Sequence, residues 1–337
     1  MTTPPNPGQI LAQMAVGNWL SQAIYVAAKL SLADLLAAGP RDATDLAAAC
    51  GARAQPLYRL LRALASVGIF AADESGRFRL TPLAEPLRKD DPASKRAMVL
   101  MTGEEQYRAW GELLYSVQTG QTGFDRVFGE PLFDYLSTRP EQARTFDEAM
   151  VAIHGRETPA MLAAYDFAGI RILADLGGGN GSVLSAVLLQ HPHLRGILFD
   201  LPHVVERARP ALDAAGLAER CQTVGGSFFE TAPAGADAYF LRHILHDWDD
   251  ERAHRILRII HAAAPAGAKL LIVESVITPG NEPGFAKLLD LTMLVIPGGQ
   301  ERTADEYRDL LARGGFELRR IIPTAADVSV LEAVKVD

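Results

Sequence analysis

The stretch that most constrains this chain is Ile172-Leu173-Ala174-Asp175-Leu176 running into Gly177-Gly178-Gly179-Asn180-Gly181-Ser182. An apolar run that stops at glycines reads as a buried strand, a tight turn and then a helix. Glycines let the backbone approach a ligand closely and aim N–H groups at it. The dinucleotide pattern G-x-G-x-x-G fails: from Gly177 the sixth position is Ser182, and from Gly178 the third is Asn180. No Gly-Lys-Ser/Thr follows, so it is not a phosphate loop of the nucleotide-triphosphate kind. What remains is G-x-G-x-G, or a tight turn with no ligand.

From about residue 168 the turn sits in a repeating pattern. Strands are expected at IRILADL, GILFD, CQTVG, AYFLR, KLLIVES, FELRRII and VSVLEAV, with helices between them. That predicts a doubly wound α/β domain over 166–337. A flexible tail is expected at 1–9. Residues 10–100 read as helices, a helix-turn-helix spaced by Leu46, Leu57, Leu61 and Leu64, and a wing-like hairpin around Ser75-Gly76. Residues 101–165 read as a helical connector rich in aromatics and methionines, a setting for an apolar ligand pocket.

The 337 residues suit two domains. The net charge of −8 disfavours nucleic acid as the main partner, and residues 1–100 hold 11 Lys/Arg against 8 Asp/Glu, so the winged helix is read as a packing or dimerisation module. The acidic excess falls in the later part, where a cationic ligand is tolerated. Cys50 and Cys221 form neither a disulfide framework nor a metal spacing. With no signal peptide or membrane span expected, the location is read as cytoplasmic.

The stretch RHILHDWDDERAH, residues 242–254, contains three of the eight histidines. It admits a metal site, a catalytic base or the acidic start of a helix. If residues 239–246 form a strand, His243 and His246 point to opposite faces and share no ion, so no metal is expected. Asp249-Asp250-Glu251 fits a helix N-terminus. His243 and His254 are then ordinary structural residues.

G-x-G-x-G is the turn of S-adenosylmethionine binders. Taken in order, LADLGGGNGSVL, LFDLP, GGSFF, RHILHDW, VES and GGQERT resemble the S-adenosylmethionine-dependent O-methyltransferases of the caffeic acid O-methyltransferase type, whose bacterial branch acts on phenolic polyketides and phenazines. The resemblance spans nearly the whole chain and implies a homodimer through the N-terminal domain. It implies that Gly177, Gly179 and Gly181 approach the methionine part of the cofactor, that Asp200 binds the ribose, and that Leu201 and Trp248 lie by the adenine. Ser227, followed by Phe228, stands where the family usually has Asp, which puts cofactor affinity in question. Arg242 falls near the cofactor carboxylate. His246 falls on the general base, with Asp247 beside it and Glu274 and Glu301 as the accompanying carboxylates. Met150 and Met293 match apolar ring contacts, and Ile296 replaces an Asn of some plant members.

The chemistry needs such a set. A phenol has a pKa of about 10, so only about one in a thousand is ionised at neutral pH. A histidine can take the proton, and a carboxylate on its other nitrogen fixes the tautomer. The expectation is a methyltransferase acting on a hydroxyl of an aromatic small molecule. The alternatives are a cofactor-binding relative running hydroxylation or decarboxylation, and a winged-helix DNA-binding regulator.

Overall fold

A computed structural model describes residues 6–337. Of the tail expected at 1–9, residues 1–5 lie outside the described residues. Asn6 already caps a helix: its side chain accepts the Gln9 N–H at 2.9 Å, and Gln9 Oε1 accepts the Asn6 N–H at 3.0 Å. With Pro7 at the first helical position, helix α1 (Pro7–Ala15) starts earlier than the apolar periodicity indicates. The chain divides into two compact units, residues up to Gly111 with Phe133–Gly155, and Glu112–Leu132 with Arg156–Asp337.

After α1 come α2 (Gly17–Lys29), α3 (Leu32–Leu36), α4 (Ala43–Cys50), α5 (Ala54–Ser66), β1 (Phe70–Ala72) and β2 (Phe78–Leu80). Asp42 caps α4 by accepting the N–H groups of Thr44 and Asp45, and Gly51 ends it at φ 71°. Leu57, Leu61 and Leu64 turn one face of α5 onto Leu32, Leu46, Phe70 and Phe78. The expected hairpin forms: β1 and β2 pair antiparallel, with Gly76 at φ 78° in the turn. On α1 and α2, Leu11, Met14 and Trp19 are 68, 72 and 71 % exposed.

The next helices are α6 (Arg96–Gly103), α7 (Glu105–Trp110), α8 (Leu113–Thr119), α9 (Gly123–Phe128), α10 (Leu132–Ser137), α11 (Pro140–His154) and α12 (Glu157–Ala164). The helical reading of 101–165 holds, with α8, α9 and α12 in the second unit.

The second unit continues with β3 (Ile172–Leu176), α13 (Ser182–Gln190), β4 (Arg195–Asp200), α14 (Pro202–Ala214), β5 (Cys221–Gly225) and β6 (Ala238–Arg242). Then come α15 (Asp250–Ala263), β7 (Lys269–Glu274), β8 (Val276–Ile277), α16 (Phe285–Val295), β9 (Arg302–Thr303), α17 (Ala304–Arg313), β10 (Phe316–Pro323) and β11 (Ser329–Lys335). The main sheet runs β10-β11-β7-β6-β3-β4-β5, and β11 alone runs against the others. Alternate strand residues enter two cores: Leu173 and Phe240 pack with Leu184, Leu188 and Leu212 on one face, Ala174 and Tyr239 with Ile256, Leu257 and Leu311 on the other. Burial on both faces is why these strands are continuous apolar runs. The chain moves outward from β3 to β4 and β5, then returns to β6 on the other side of β3. In sheets of this kind the ligand crevice lies at such a switch point, at the C-terminal strand ends.

Candidate active site

The strands at this point end in, or run directly into, polar or glycine residues: Gly177 after β3, Asp200 on β4, Gly225 on β5, Arg242 on β6 and Glu274 on β7. After β3, Gly177, Gly179 and Gly181 have φ of 70, 57 and 74°. A Cβ on Gly177 would collide with Ile244, one on Gly178 with Leu198 and Asp175, while one on Gly179 would meet nothing within 4 Å. The turn is thus packed from below and open above. Asp200, at the end of β4, accepts the Gly179 N–H through Oδ2 at 2.9 Å and the Leu201 N–H through Oδ1 at 2.7 Å. Under the turn Asp175 is 2 % exposed, and its Oδ2 has no hydrogen-bond partner. Burial and the neighbouring Asp200 push the Asp175 carboxyl up to about 7. Open backbone beside Asp200, which can accept ribose hydroxyls, over a buried acid suits a cationic ligand carrying a ribose. The residues present therefore fit S-adenosylmethionine.

After β5, Ser227 Oγ accepts the Phe229 N–H at 3.3 Å. Phe229 meets Trp248 edge-on at 4.8 Å between ring centroids, with Phe228 at 6.3 Å from the same indole and the Arg252 guanidinium 5.3 Å over it. Phe228, Phe229 and Trp248 thus pack as one aromatic group, and Leu201 is exposed.

The RHILHDW stretch departs from its sequence reading. The strand stops at Arg242, His243 takes φ 51°, and Leu245–Asp247 form a 3-10 turn. This kink cancels the strand alternation, so His243 and His246 do not point to opposite faces. Their rings lie 5.0 Å apart at 39°. His246 is buried, and Glu301 Oε1 sits 2.7 Å from its Nδ1. With Glu301 ionised, Nδ1 carries a proton. Asp247 Oδ1 lies 3.6 Å from Nε2. Burial pulls the imidazole pKa down, but Asp247, Glu301 and Glu274 outweigh it and raise it to about 10. Burial lifts the Asp247 carboxyl to about 6 despite the attraction of His246, and lifts Glu301 as well.

Glu274 acts on the imidazole by charge, while its hydrogen bonds go to the backbone and to Tyr307. Its Oε1 accepts the N–H groups of Ile244, Leu245 and His246 at 3.1, 2.7 and 3.2 Å, and its Oε2 accepts the Tyr307 hydroxyl. It holds the backbone of the turn. Arg242 donates Nε and Nη2 to Glu157 Oε2 on α12 at 3.2 and 2.8 Å. Met293 is buried on α16. Met150 lies on α11 in the first unit. Asp249 caps α15, as the acidic run indicated.

Several supports were not foreseen. The two-residue parallel bridge of β8 and β9 brings the chain after Glu274 beside the chain after Glu301. Asp290 accepts the Glu301 N–H at 2.9 Å. Arg302, 1 % exposed, donates to Leu245 O at 3.1 Å, Trp248 O at 3.0 Å and Asp250 Oδ1 at 2.9 Å. Gln300 N–H donates to His246 O at 2.9 Å, and a Cβ on Gly299 would overlap that same carbonyl. GGQERT is therefore a clamp on the turn, and only its Glu has a side chain on the imidazole.

The same chain matches known proteins over both units. The family model for the O-methyltransferase domain covers residues 110–317, and that for the O-methyltransferase dimerisation domain covers 12–90. The phenazine O-methyltransferase of Lysobacter antibioticus is 50 % identical over 96 % of this chain and 95 % of its own length. The mitomycin biosynthesis 6-O-methyltransferase of Streptomyces lavendulae is 40 % identical over 96 and 95 %. An O-methyltransferase of neocarzinostatin biosynthesis, solved with S-adenosylmethionine and 2-hydroxy-5-methyl naphthoic acid, superposes with a TM-score of 0.88 at 36 % identity, over 99 % of this chain and 100 % of that one. Among the described residues no helix is long and apolar enough to cross a membrane. A glycine turn shaped for S-adenosylmethionine, a buried imidazole backed by a carboxylate and matches of this extent agree: the chain belongs to the S-adenosylmethionine-dependent O-methyltransferases.

Proposed function

We propose that the protein methylates a phenolic hydroxyl of a fused aromatic metabolite, a hydroxyphenazine being the closest in kind to what its relatives act on, with His246 as general base. The observation that carries this reading is the 2.7 Å contact of His246 Nδ1 with buried Glu301, which leaves Nε2 to face the substrate. S-adenosylmethionine supplies an electrophilic methyl group on a sulfonium. The phenol O–H bond breaks, its electron pair stays on oxygen, and the proton goes to Nε2. From a phenol of pKa about 10 to an ordinary imidazole this transfer is uphill by about 5 kcal/mol. The carboxylates around His246 raise its affinity for that proton, while the same shift lowers the fraction of the ring that is neutral at a given pH. Glu301 stabilises the imidazolium as it forms, and Glu274 keeps the turn in place.

In this reading Gly177, Gly179 and Gly181 lie along the methionine part of the cofactor, Asp200 takes the ribose hydroxyls, and Leu201, Ser227, Phe228 and Trp248 surround the adenine. Arg242 lies toward the cofactor carboxylate, and Asp247 and Met293 face the substrate. Met150 as a ring contact rests on the resemblance alone. A homodimer is supported by the dimerisation-domain match and by the exposed Leu11, Met14 and Trp19. Two distant free cysteines fit a reducing cytoplasm.

The test is transfer of a labelled methyl group from S-adenosylmethionine to a panel of hydroxyphenazines, 3-amino-4-hydroxybenzoate and dihydroxynaphthoates, with products identified by mass spectrometry. His246→Ala is expected to cut turnover at least about a hundredfold with cofactor binding intact. Unchanged turnover refutes the role of His246, and a product methylated only on carbon or nitrogen refutes the O-methylation.

A further inference from the structure

The contacts of the base leave one of its motions uncontrolled. Glu301 holds the His246 ring at Nδ1, and Glu274 holds the backbone beneath it. A ring pinned at one nitrogen still swings about that hydrogen bond, and the swing displaces Nε2. Asp247 Oδ1 stands 3.6 Å from Nε2, and on one side of the ring lies His243, whose ring centroid is 5.0 Å away at a 39° tilt. His243 is itself over-determined. Its Nε2 lies 2.8 Å from Glu157 Oε2, its backbone N–H donates to Val273 O at 3.2 Å, and its side chain is 11 % exposed. It holds φ 51°, a left-handed conformation that residues with a side chain adopt sparingly and that its surroundings must support. Glu157 is 8 % exposed, and the same Oε2 also takes two bonds from Arg242.

We infer that His243, anchored by Glu157, is a positioning residue that fixes the plane of the His246 imidazole; this rests on the reading of His246 as the base. The position needs three properties at once: tolerance of a left-handed backbone, a donor for Glu157 and a flat face against His246. Histidine supplies all three. Asn keeps the backbone tolerance and a donor but loses the ring, whereas Phe keeps the ring but loses the donor.

The experiment measures His243→Asn, His243→Phe, Glu157→Gln and the His243→Asn/Glu157→Gln pair with the panel phenol that the wild type turns over fastest. Cofactor affinity is read by calorimetry, and His246→Ala runs alongside. Displacing a catalytic group by a fraction of an ångström to 1 Å is expected to lower kcat about tenfold to a hundredfold in His243→Asn, with KM and cofactor affinity unchanged. Glu157→Gln moves in the same direction; because Glu157 also holds Arg242, the comparison is made at saturating cofactor, where kcat of the pair is no lower than that of His243→Asn alone. Long-range ¹H–¹⁵N spectra of histidine-labelled protein, which need no substrate, are expected to show shifted and broadened His246 ring lines in His243→Asn. Unchanged kcat in His243→Asn while His246→Ala is inactive overturns the positioning role alone. An active His246→Ala overturns the base itself. A lowered melting temperature with kcat, KM and the His246 lines unmoved leaves His243 merely structural and overturns the inference.

Discussion

Glu301→Gln isolates what a buried negative charge does for the base. Gln has the shape of Glu, so packing is kept and only charge and one set of hydrogens change. Two orientations are open. In the first, the amide oxygen stays against His246 Nδ1, where Glu301 Oε1 now sits at 2.7 Å. The amide nitrogen then occupies the place of Oε2, which is buried and has no hydrogen-bond partner. The bond to the imidazole falls from charge-assisted to neutral, a loss of about 1–2 kcal/mol, or roughly five- to thirtyfold in rate. In the second, the amide nitrogen donates to Nδ1, the proton moves to Nε2, and the nitrogen facing the phenol can no longer accept. The equivalent tautomer error in the serine-protease triad costs about 10⁴ in kcat. The expected kcat loss therefore lies between about fivefold and 10⁴-fold. In the first orientation the pH profile also moves. Glu301 raises the His246 pKa, so its removal lowers it, and the acid limb of kcat shifts to lower pH. Stopped assays of labelled-methyl transfer across a pH series read both quantities. A kcat close to wild type with an unmoved acid limb would refute the role of Glu301.

Tyr307→Phe removes the hydroxyl that Glu274 Oε2 accepts, leaving a fully buried carboxylate oxygen unpaired. Stability is expected to fall by about 1–3 kcal/mol in chemical denaturation, with a smaller kcat loss than in Glu301→Gln. Ser227→Asp keeps an acceptor for the Phe229 N–H and adds a charged one for the adenine amine. The Kd for S-adenosylmethionine is expected to drop about fivefold by calorimetry. The His246 pKa is raised on folding, so its stabilising contribution is complete below about 6.5 and is lost as pH rises through about 10. The melting-temperature gap between wild type and His246→Gln should therefore narrow from pH 7 to pH 10; a constant gap would contradict the raised pKa.

The glycine turn and the seven strands of the main sheet were legible because each depends on a local pattern. An apolar run with both faces buried reads the same whatever surrounds it, and Gly177, Gly179 and Gly181 occupy left-handed positions that favour glycine. The tasks of Glu274 and His243 were not legible, because both depend on where one strand stops. Had β6 run on through His246, alternation would have parted the two histidines. It stops at Arg242, and Glu274 Oε1 collects three consecutive backbone N–H groups that a strand would have sent to its neighbours. A carboxylate at the end of the adjacent strand therefore shapes the turn, and the turn in turn brings His243 against His246. The only sequence trace of this is a Glu at the end of KLLIVE, which reads equally well as a partner for the imidazole. What separates the two readings is the β8–β9 bridge. Two residues long, it is too short to carry a periodicity, yet it brings the chain after Glu301 beside the end of β7. The imidazole then bonds to Glu301 while Glu274 is occupied by backbone and Tyr307. Removing the charge of Glu301 should accordingly act on the proton, and removing that of Glu274 on the fold of the turn.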